Sequence, residues 1–282
     1  MIKINILKFL KKRYDKIQKR LLLKIFKKIL KQRKKKFEIL YNFYSLIDKS
    51  VKIKVKFLEN EYFVIDNKKK YKFFPIERIQ YYNKGLVVRK EQLKKEYLLH
   101  NIKFEENDIV IDVGANNGDF YLCFDKKIKY FAYEPSPLVF SNLEYNVKNQ
   151  NLYNLGLSNS ADNKIDFYLK DEFGDSSILP INDYTKKISI ETTTLDKEID
   201  KIQQKIKLIK LEAEGFEPEI LQGLKKYLNY VEYITIECGF ERGIKQESTI
   251  AECSNYLIKN NFEMIDFGSS RIVTLFKIKE ST

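Results

Sequence analysis

The chain has 282 residues, 44% of them hydrophobic and 14% aromatic, and a formal charge of +13 from 52 Lys and Arg against 39 Asp and Glu. That length and apolar content support a folded core and exclude a disordered chain, while only 10 Gly and 5 Pro exclude a collagen-like repeat. A single histidine, His100, excludes a His-rich metal centre. The three cysteines, Cys123, Cys238 and Cys253, form neither a closed disulfide set nor a usual zinc spacing, which points to a reducing compartment.

The charge is concentrated at one end. Residues 1–36 hold sixteen Lys and Arg and one acid, Asp15, so the remainder is close to neutral. Ile17, Leu21, Leu22, Ile25, Phe26, Ile29 and Leu30 recur mainly every three or four residues, predicting one apolar helix face ringed by lysines. Residues 1–50 are therefore expected to be a basic amphipathic helical segment. It fits three readings: an element docked on its own domain, a peripheral contact with an anionic membrane, or a contact with protein or nucleic acid. No apolar run approaches the roughly 18 residues of a membrane span. The run 4–10 is broken by Asn5 and Lys8, so no secretory signal is expected. The expected location is cytoplasmic, peripheral to the inner membrane if the basic segment meets lipid.

Residues 51–104 are expected to form a small β/helical module. Val51, Ile53, Val55 and Phe57 alternate with lysines, the pattern of a strand with one wet face. Turns are expected at Glu59-Asn60 and Asp66-Asn67, two more strands at 62–65 and 71–74, and then helices broken near Gly85.

From residue 105 to 282 the pattern becomes α/β. Strand 109–113 leads into the turn Gly114-Ala115-Asn116-Asn117-Gly118, with a helix expected at 119–124. A strand at 129–133 ends at Glu134, and Pro135 opens an expected helix over 136–149 through Leu138, Phe140, Leu143 and Val147. Further strands are expected at 152–155, 164–169, 187–193, 207–211 and 231–236. Helices are expected at 194–202, 218–228 and 249–258, and an antiparallel pair at 262–266 and 272–278. Such alternation is doubly wound, and its crevice gathers the loops at the carboxyl ends of the strands. That gathers the glycine turn, Glu134, the loop 212–215 and Glu237.

Glu134 follows Gly114 by twenty residues, where a carboxylate accepts both hydroxyls of a ribose. The glycine spacing is Gly-x-x-x-Gly, not the dinucleotide fingerprint. Asp112 can organise the turn and face a cationic cofactor portion. Together these favour S-adenosylmethionine over NAD.

The ordered motifs are similar to those of one family. IVIDVGANNGDF at 109–120 resembles the opening motif of the FkbM-like class I methyltransferases, and Glu134-Pro135 their second motif. Asn142 and Asn146, Thr194-Leu195-Asp196, and LIKLEAEGFEPEIL at 208–221 resemble later blocks, with Glu212 where the family commonly has Asp. The resemblance implies a Rossmann-like seven-stranded sheet in the order 3-2-1-4-5-7-6, here with a mixed helical/β N-terminal extension. It also implies methyl transfer from S-adenosylmethionine, most often to a hydroxyl of a sugar or specialised metabolite. Gly114, Asn116 and Gly118 would hold the amino-acid portion and centre of the cofactor, Glu134 its ribose, and Asp112 would organise the turn. Ser158, Asp175 and Ser176, with Ser177, would lie on the adenine side or in a lid.

Attack on a sulfonium methyl needs alignment, and a hydroxyl nucleophile gains from a base. Glu214 is the leading candidate for that base, followed by Glu212 and Glu237. No complete ligand set for a metal is evident. The expected function is O-methylation of a sugar, glycan precursor or specialised metabolite. The basic N-terminus keeps an RNA or ribose methyltransferase in view, and a noncatalytic cofactor-binding scaffold is the third reading.

Overall fold

The amphipathic N-terminal pattern produces a helix, α1 (18–30), whose Phe26 and Ile29 are buried. The computed structural model describes residues 16, 18–161, 164–170, 176–268 and 271–280. The chain divides into two compact units at the boundary between Gly85 and Leu86.

In the first unit α1 docks through Phe26, whose ring lies 5.4 Å from Tyr44 and 6.4 Å from Tyr41 of α2 (Lys34–Ile47). Leu21, expected on the buried face, is exposed, and Ile17 lies outside the described residues. The lysine-spaced alternation buries Val51, Ile53 and Val55 and leads into β1 (Lys54–Leu58). With β2 (Glu61–Asp66) and β3 (Lys69–Phe73) it forms an antiparallel meander. Asn60 and Asn67 take positive φ at its turns, as asparagine permits, and Glu59 does so beside Asn60. An edge strand exposes unpaired backbone groups. Asn42 of α2 answers two of them, its Nδ2 donating to Val55 O and its Oδ1 accepting from Val55 N, both at 2.8 Å. A short helix, α3 (Ile79–Tyr82), completes the unit.

The second unit begins with α4 (Leu86–Glu96). The buried run 109–113 is β4 (Ile109–Val113), followed by β5 (Lys129–Tyr133), α5 (Pro137–Asn146), β6 (Asn151–Tyr153), β7 (Gly156–Leu157), β8 (Lys164–Leu169) and β9 (Lys186–Thr193). Then come α6 (Leu195–Ile202), β10 (Ile206–Leu211), α7 (Glu217–Gln222), β11 (Val231–Glu237), β12 (Phe240–Arg242), β13 (Glu247–Ser248), α8 (Ile250–Lys259), β14 (Phe262–Gly268) and β15 (Val273–Ile278). The main sheet runs β14-β15-β11-β10-β4-β5-β6. β15 is antiparallel to both its neighbours and the other pairings are parallel. Renumbering these seven strands in chain order gives 3-2-1-4-5-7-6, the expected sheet. The central strands are buried on both faces, which is why they read as continuous apolar runs. β7, β9 and β8 form a separate small sheet, and β12 pairs with β13 in a hairpin the sequence pattern does not announce.

Three expected helices are altered. The helix at 119–124 is one 3₁₀ turn, Asp119–Cys123, because Asp119 is drawn to Arg89 (3.2 Å) and the charged residues 125–127 cannot extend an apolar face. α5 starts at Pro137 rather than at Pro135, since Glu134 holds the amide of Ser136 at 2.8 Å; Leu138 is exposed and Val139 takes its buried place. The helix expected over 218–228 stops at Gln222. The amides of Lys225, Lys226 and Tyr227 instead donate to the carboxylate of Asp196, each at 3.0 Å, and cannot continue a helical ladder.

Candidate active site

Parallel strands deliver their loops to one end of the sheet, and β4, β5, β10 and β11 each end there in a polar residue or turn. After β4 the chain turns at Gly114 (φ +70°), Asn116 (φ +49°) and Gly118 (φ +86°). A Cβ on Gly114 would lie 1.9 Å from the carbonyl oxygen of Glu212, so only glycine lets the two loops approach this closely. Asn142 and Asn146 of α5 clamp the turn, donating to Oδ1 and O of Asn117, both at 2.7 Å.

Glu134 closes the other side. Its Oε2 accepts from Asn116 N at 2.9 Å and its Oε1 from Ser136 N at 2.8 Å. Burial pushes its carboxyl up to about 7 despite those two amides. Each oxygen keeps a lone pair beyond the amide it already accepts. An acceptor of that kind suits a vicinal diol, so Glu134 fits a ribose-bearing cofactor.

Beneath the turn the expected Asp112 and Glu212 join a buried ionic network with Lys210, Tyr97, Tyr130 and Arg271, which the sequence reading did not include. Lys210, near the end of β10, places Nζ 3.0 Å from Asp112 Oδ1 and 3.2 Å from Glu212 Oε2. It also donates to the carbonyls of Val113 (3.1 Å) and Gly114 (2.8 Å). Burial acts to lower the Lys210 ammonium, but the two carboxylates outweigh it and raise it. Tyr130 donates to Asp112. Tyr97 and Arg271 both donate to Glu212. Burial acts to raise the Glu212 carboxyl, yet Arg271, Lys210 and Tyr97 together hold it far below the usual carboxylate range. A lysine flanked by Ile209 and Leu211 near the end of a buried strand is the signal that could have found Lys210; Tyr97 and Arg271 carry none.

Three further carboxyls gather beside Glu212. Glu214 is half-buried at φ +51° in the tight turn, its carbonyl accepting from Ser177 Oγ at 3.1 Å. Glu237, at the end of β11, lies 3.5 Å from Arg271 Nε and accepts from Gly239 N at 3.0 Å. Glu241, on β12, is hydrogen-bonded to Glu237, and its Oε2 is buried with no hydrogen-bond partner. Burial and the charges of Glu214 and Glu237 push its carboxyl far up, toward the neutral form. The hairpin is pinned over the loop. Arg242 makes a two-pronged pair with Glu219 (2.6 and 2.9 Å), and a Cβ on Gly215 would lie 2.4 Å from its Cα. Glu217 fixes the loop from inside, accepting from Ala213 N (2.8 Å) and Gly215 N (3.2 Å).

Asp112, Gly114, Asn116, Gly118, Glu134, Glu212, Glu214 and Glu237 thus share one end of the sheet. Ser177 joins them through Glu214, and Ser176 Oγ accepts from Lys170 N at 3.0 Å. Ser158 is buried after β7, its amide donating to Thr193 O (2.9 Å), and its carbonyl oxygen would lie 2.2 Å from a Cβ on Gly223. Asp175 lies outside the described residues. His100 is exposed, 3.4 Å from Asp266. Among the described residues no group of three or more His, Cys, Asp or Glu is arranged to hold a metal ion.

A model of the methyltransferase FkbM domain matches residues 112–264, from the buried aspartate of β4 into β14. Hexuronic acid methyltransferase AglP of Haloferax volcanii is 29% identical over 146 residues, which cover 47% of this chain and 56% of that protein. The chain thus spans little more than half the length of this curated relative. Among solved structures, ribosomal protein L11 methylase of Lactobacillus delbrueckii subsp. bulgaricus aligns with TM-score 0.41 and 14% identity, over 68% of this chain and 79% of that one. Magnesium protoporphyrin IX methyltransferase of Synechocystis PCC 6803, with bound SAM, aligns with TM-score 0.39 and 8% identity, over 68% and 81%. The family match takes in the glycine turn, Glu134, the Asp112, Lys210 and Glu212 part of the network and the carboxyl cluster, while Tyr97 and Arg271 lie outside it. The chain belongs to the methyltransferase FkbM domain family, whose members take their methyl group from S-adenosylmethionine.

Proposed function

We propose that this protein transfers a methyl group to a hydroxyl of a sugar, a glycan precursor or a specialised metabolite. The observation that carries this reading is the meeting, at one end of the sheet, of the Glu134 and glycine-turn cradle with the carboxyls of Glu214, Glu237 and Glu241. Carboxyl groups accept and donate hydrogen bonds to hydroxyls, the recognition a sugar requires. The relative acting on hexuronic acid supports the same class of acceptor.

S-adenosylmethionine, when bound, supplies an already activated sulfonium methyl. The protein's task is then alignment and removal of one proton. Glu134 would accept hydrogen bonds from the cofactor's ribose hydroxyls, and Gly114, Asn116 and Gly118 would hold its amino-acid portion and centre. Asp112 and Lys210 hold that turn. Glu214 takes the proton from the acceptor hydroxyl, while Glu237 and Glu241 hold neighbouring hydroxyls. Glu212, fixed as an anion by Arg271 and Lys210, serves as a stationary charge rather than as a proton acceptor.

Calorimetry with S-adenosylmethionine and with NAD, followed by methyl transfer to a panel of sugars, uronic acids, nucleotide sugars and RNA, tests the proposal. Binding of the methyl donor with turnover on a carbohydrate supports it. Preference for NAD, or turnover confined to RNA, sinks it. Donor binding without transfer to any acceptor favours the scaffold reading.

A further inference from the structure

A cavity of about 530 Å³ opens in the second unit, away from the glycine turn and the carboxyl cluster. Its floor is apolar. Leu99, Ile102 and Ile128 are buried, and Phe104 and Phe124, with rings edge to face at 5.1 Å, are half-buried. Ile102 and Phe104 lead into β4 and Ile128 immediately precedes β5, so the cavity sits at the amino ends of these strands. Glu134 and the glycine turn follow their carboxyl ends. α4 forms one wall with Glu91, Lys94 and Lys95.

The charged groups that line the cavity are unevenly matched. Asp125 is shared by Lys90 and, at 3.0 Å, by Lys94, and Glu91 lies 3.7 Å from Lys94. Lys126 pairs with Glu105, and His100 lies 3.4 Å from Asp266. Lys95 is exposed and makes no ion pair among the described residues. The cavity thus joins an apolar interior to one uncommitted lysine. Ligand sites have this build: burial holds an apolar body and a few polar groups fix its orientation.

We propose that this cavity binds an amphipathic monocarboxylate, its apolar body against Ile102, Phe104 and Phe124 and its carboxylate at Lys95. A polyanion does not fit, because the other lysines of the lining are already paired with carboxylates. A neutral apolar molecule gains nothing from Lys95, and a cationic one is repelled by it. The site is separate from that of the methyl donor, and the two are expected to be filled independently.

The test is calorimetry of the full-length protein with decanoate, decanol and decyltrimethylammonium, three probes with one chain and different heads, each below its micellar concentration. Decanoate is expected to bind one to one and about two- to fivefold more tightly than decanol, the margin of one exposed ion pair. Decyltrimethylammonium is expected to bind most weakly. Lys95→Glu is expected to lower decanoate affinity by about fivefold or more and to reverse the order of the two charged probes. Lys95 is exposed, so folding is not at stake, and circular dichroism checks it. Phe104→Ala is expected to weaken decanoate and decanol alike, by about tenfold. Saturating S-adenosylmethionine is expected to leave decanoate binding unchanged. Equal affinity for the three probes, unchanged decanoate binding in Lys95→Glu, or no saturable decanoate binding overturns the proposal. So does competition by S-adenosylmethionine, which would put the carboxylate in the active site.

Discussion

Lys210 places its ammonium 3.0 Å from the carboxylate of Asp112, a buried pair that ties β10 to β4 directly under the glycine turn. Removing one member of such a pair leaves a charge without a partner, which costs more than the pair itself contributes. Lys210→Met is therefore expected to destabilise the second unit by about 3–5 kcal/mol. Lys210→Met combined with Asp112→Leu is expected to recover part of that loss. Urea denaturation of the two variants measures the difference.

Glu134 links cofactor affinity to pH. Burial holds its carboxyl at about 7 in the free protein, and two ribose hydroxyls donating to it favour the ionised form. Binding must then expel a proton whenever the free group is protonated. Affinity for S-adenosylmethionine is expected to be steady above pH 7 and to fall by up to about tenfold per unit below it. Glu134→Ala is expected to bind at least about tenfold more weakly and to lose this slope. Calorimetry across a pH series decides it.

Gly114→Ala sets a Cβ 1.9 Å from the Glu212 carbonyl and forces a side chain into the left-handed region at φ +70°. Neither a backbone oxygen nor φ can yield cheaply, so a loss of about 3 kcal/mol is expected. Thermal melting with and without S-adenosylmethionine checks both consequences, a lower midpoint and a smaller shift on adding the donor.

The carboxyl cluster makes opposite predictions for two neighbours. If Glu214 takes the proton, Glu214→Gln keeps the shape but loses the base, and kcat is expected to fall about 10²–10⁴-fold. With its carboxyl pushed far up, Glu241 in its acid form donates to Glu237, and an amide donates in the same way. Glu241→Gln is therefore expected to retain activity within a few-fold, whereas Glu241→Ala, which leaves Glu237 without its donor, is expected to lose about tenfold or more. Steady-state rates of the three variants on one acceptor decide it; a severe loss in Glu241→Gln would mean the group acts as an anion.

The sequence by itself determined the order of the main-sheet strands and of the helices that follow them. Residues 109–113, 129–133 and 206–211 are short apolar runs because their strands are buried on both faces, and glycines mark where the chain turns sharply. Asn142, Asn146 and Asp196 were visible as motif residues, but their partners, Asn117 and the amides of residues 225–227, were not. Helix lengths were misread where a side chain captures backbone amides and ends the helical ladder, as at Glu134 and Asp196. Only the tertiary structure decided which charges meet. Tyr97, the Lys210 and Glu212 pair at the end of β10, and Arg271 are spread over more than half of the chain. Periodicity reports the face a residue occupies, but not which distant residue shares it. The assignment of Glu212 to a fixed charge and the push of Glu241 toward its neutral form follow from that convergence, because the state of a buried carboxyl depends on the groups packed around it rather than on its neighbours in sequence.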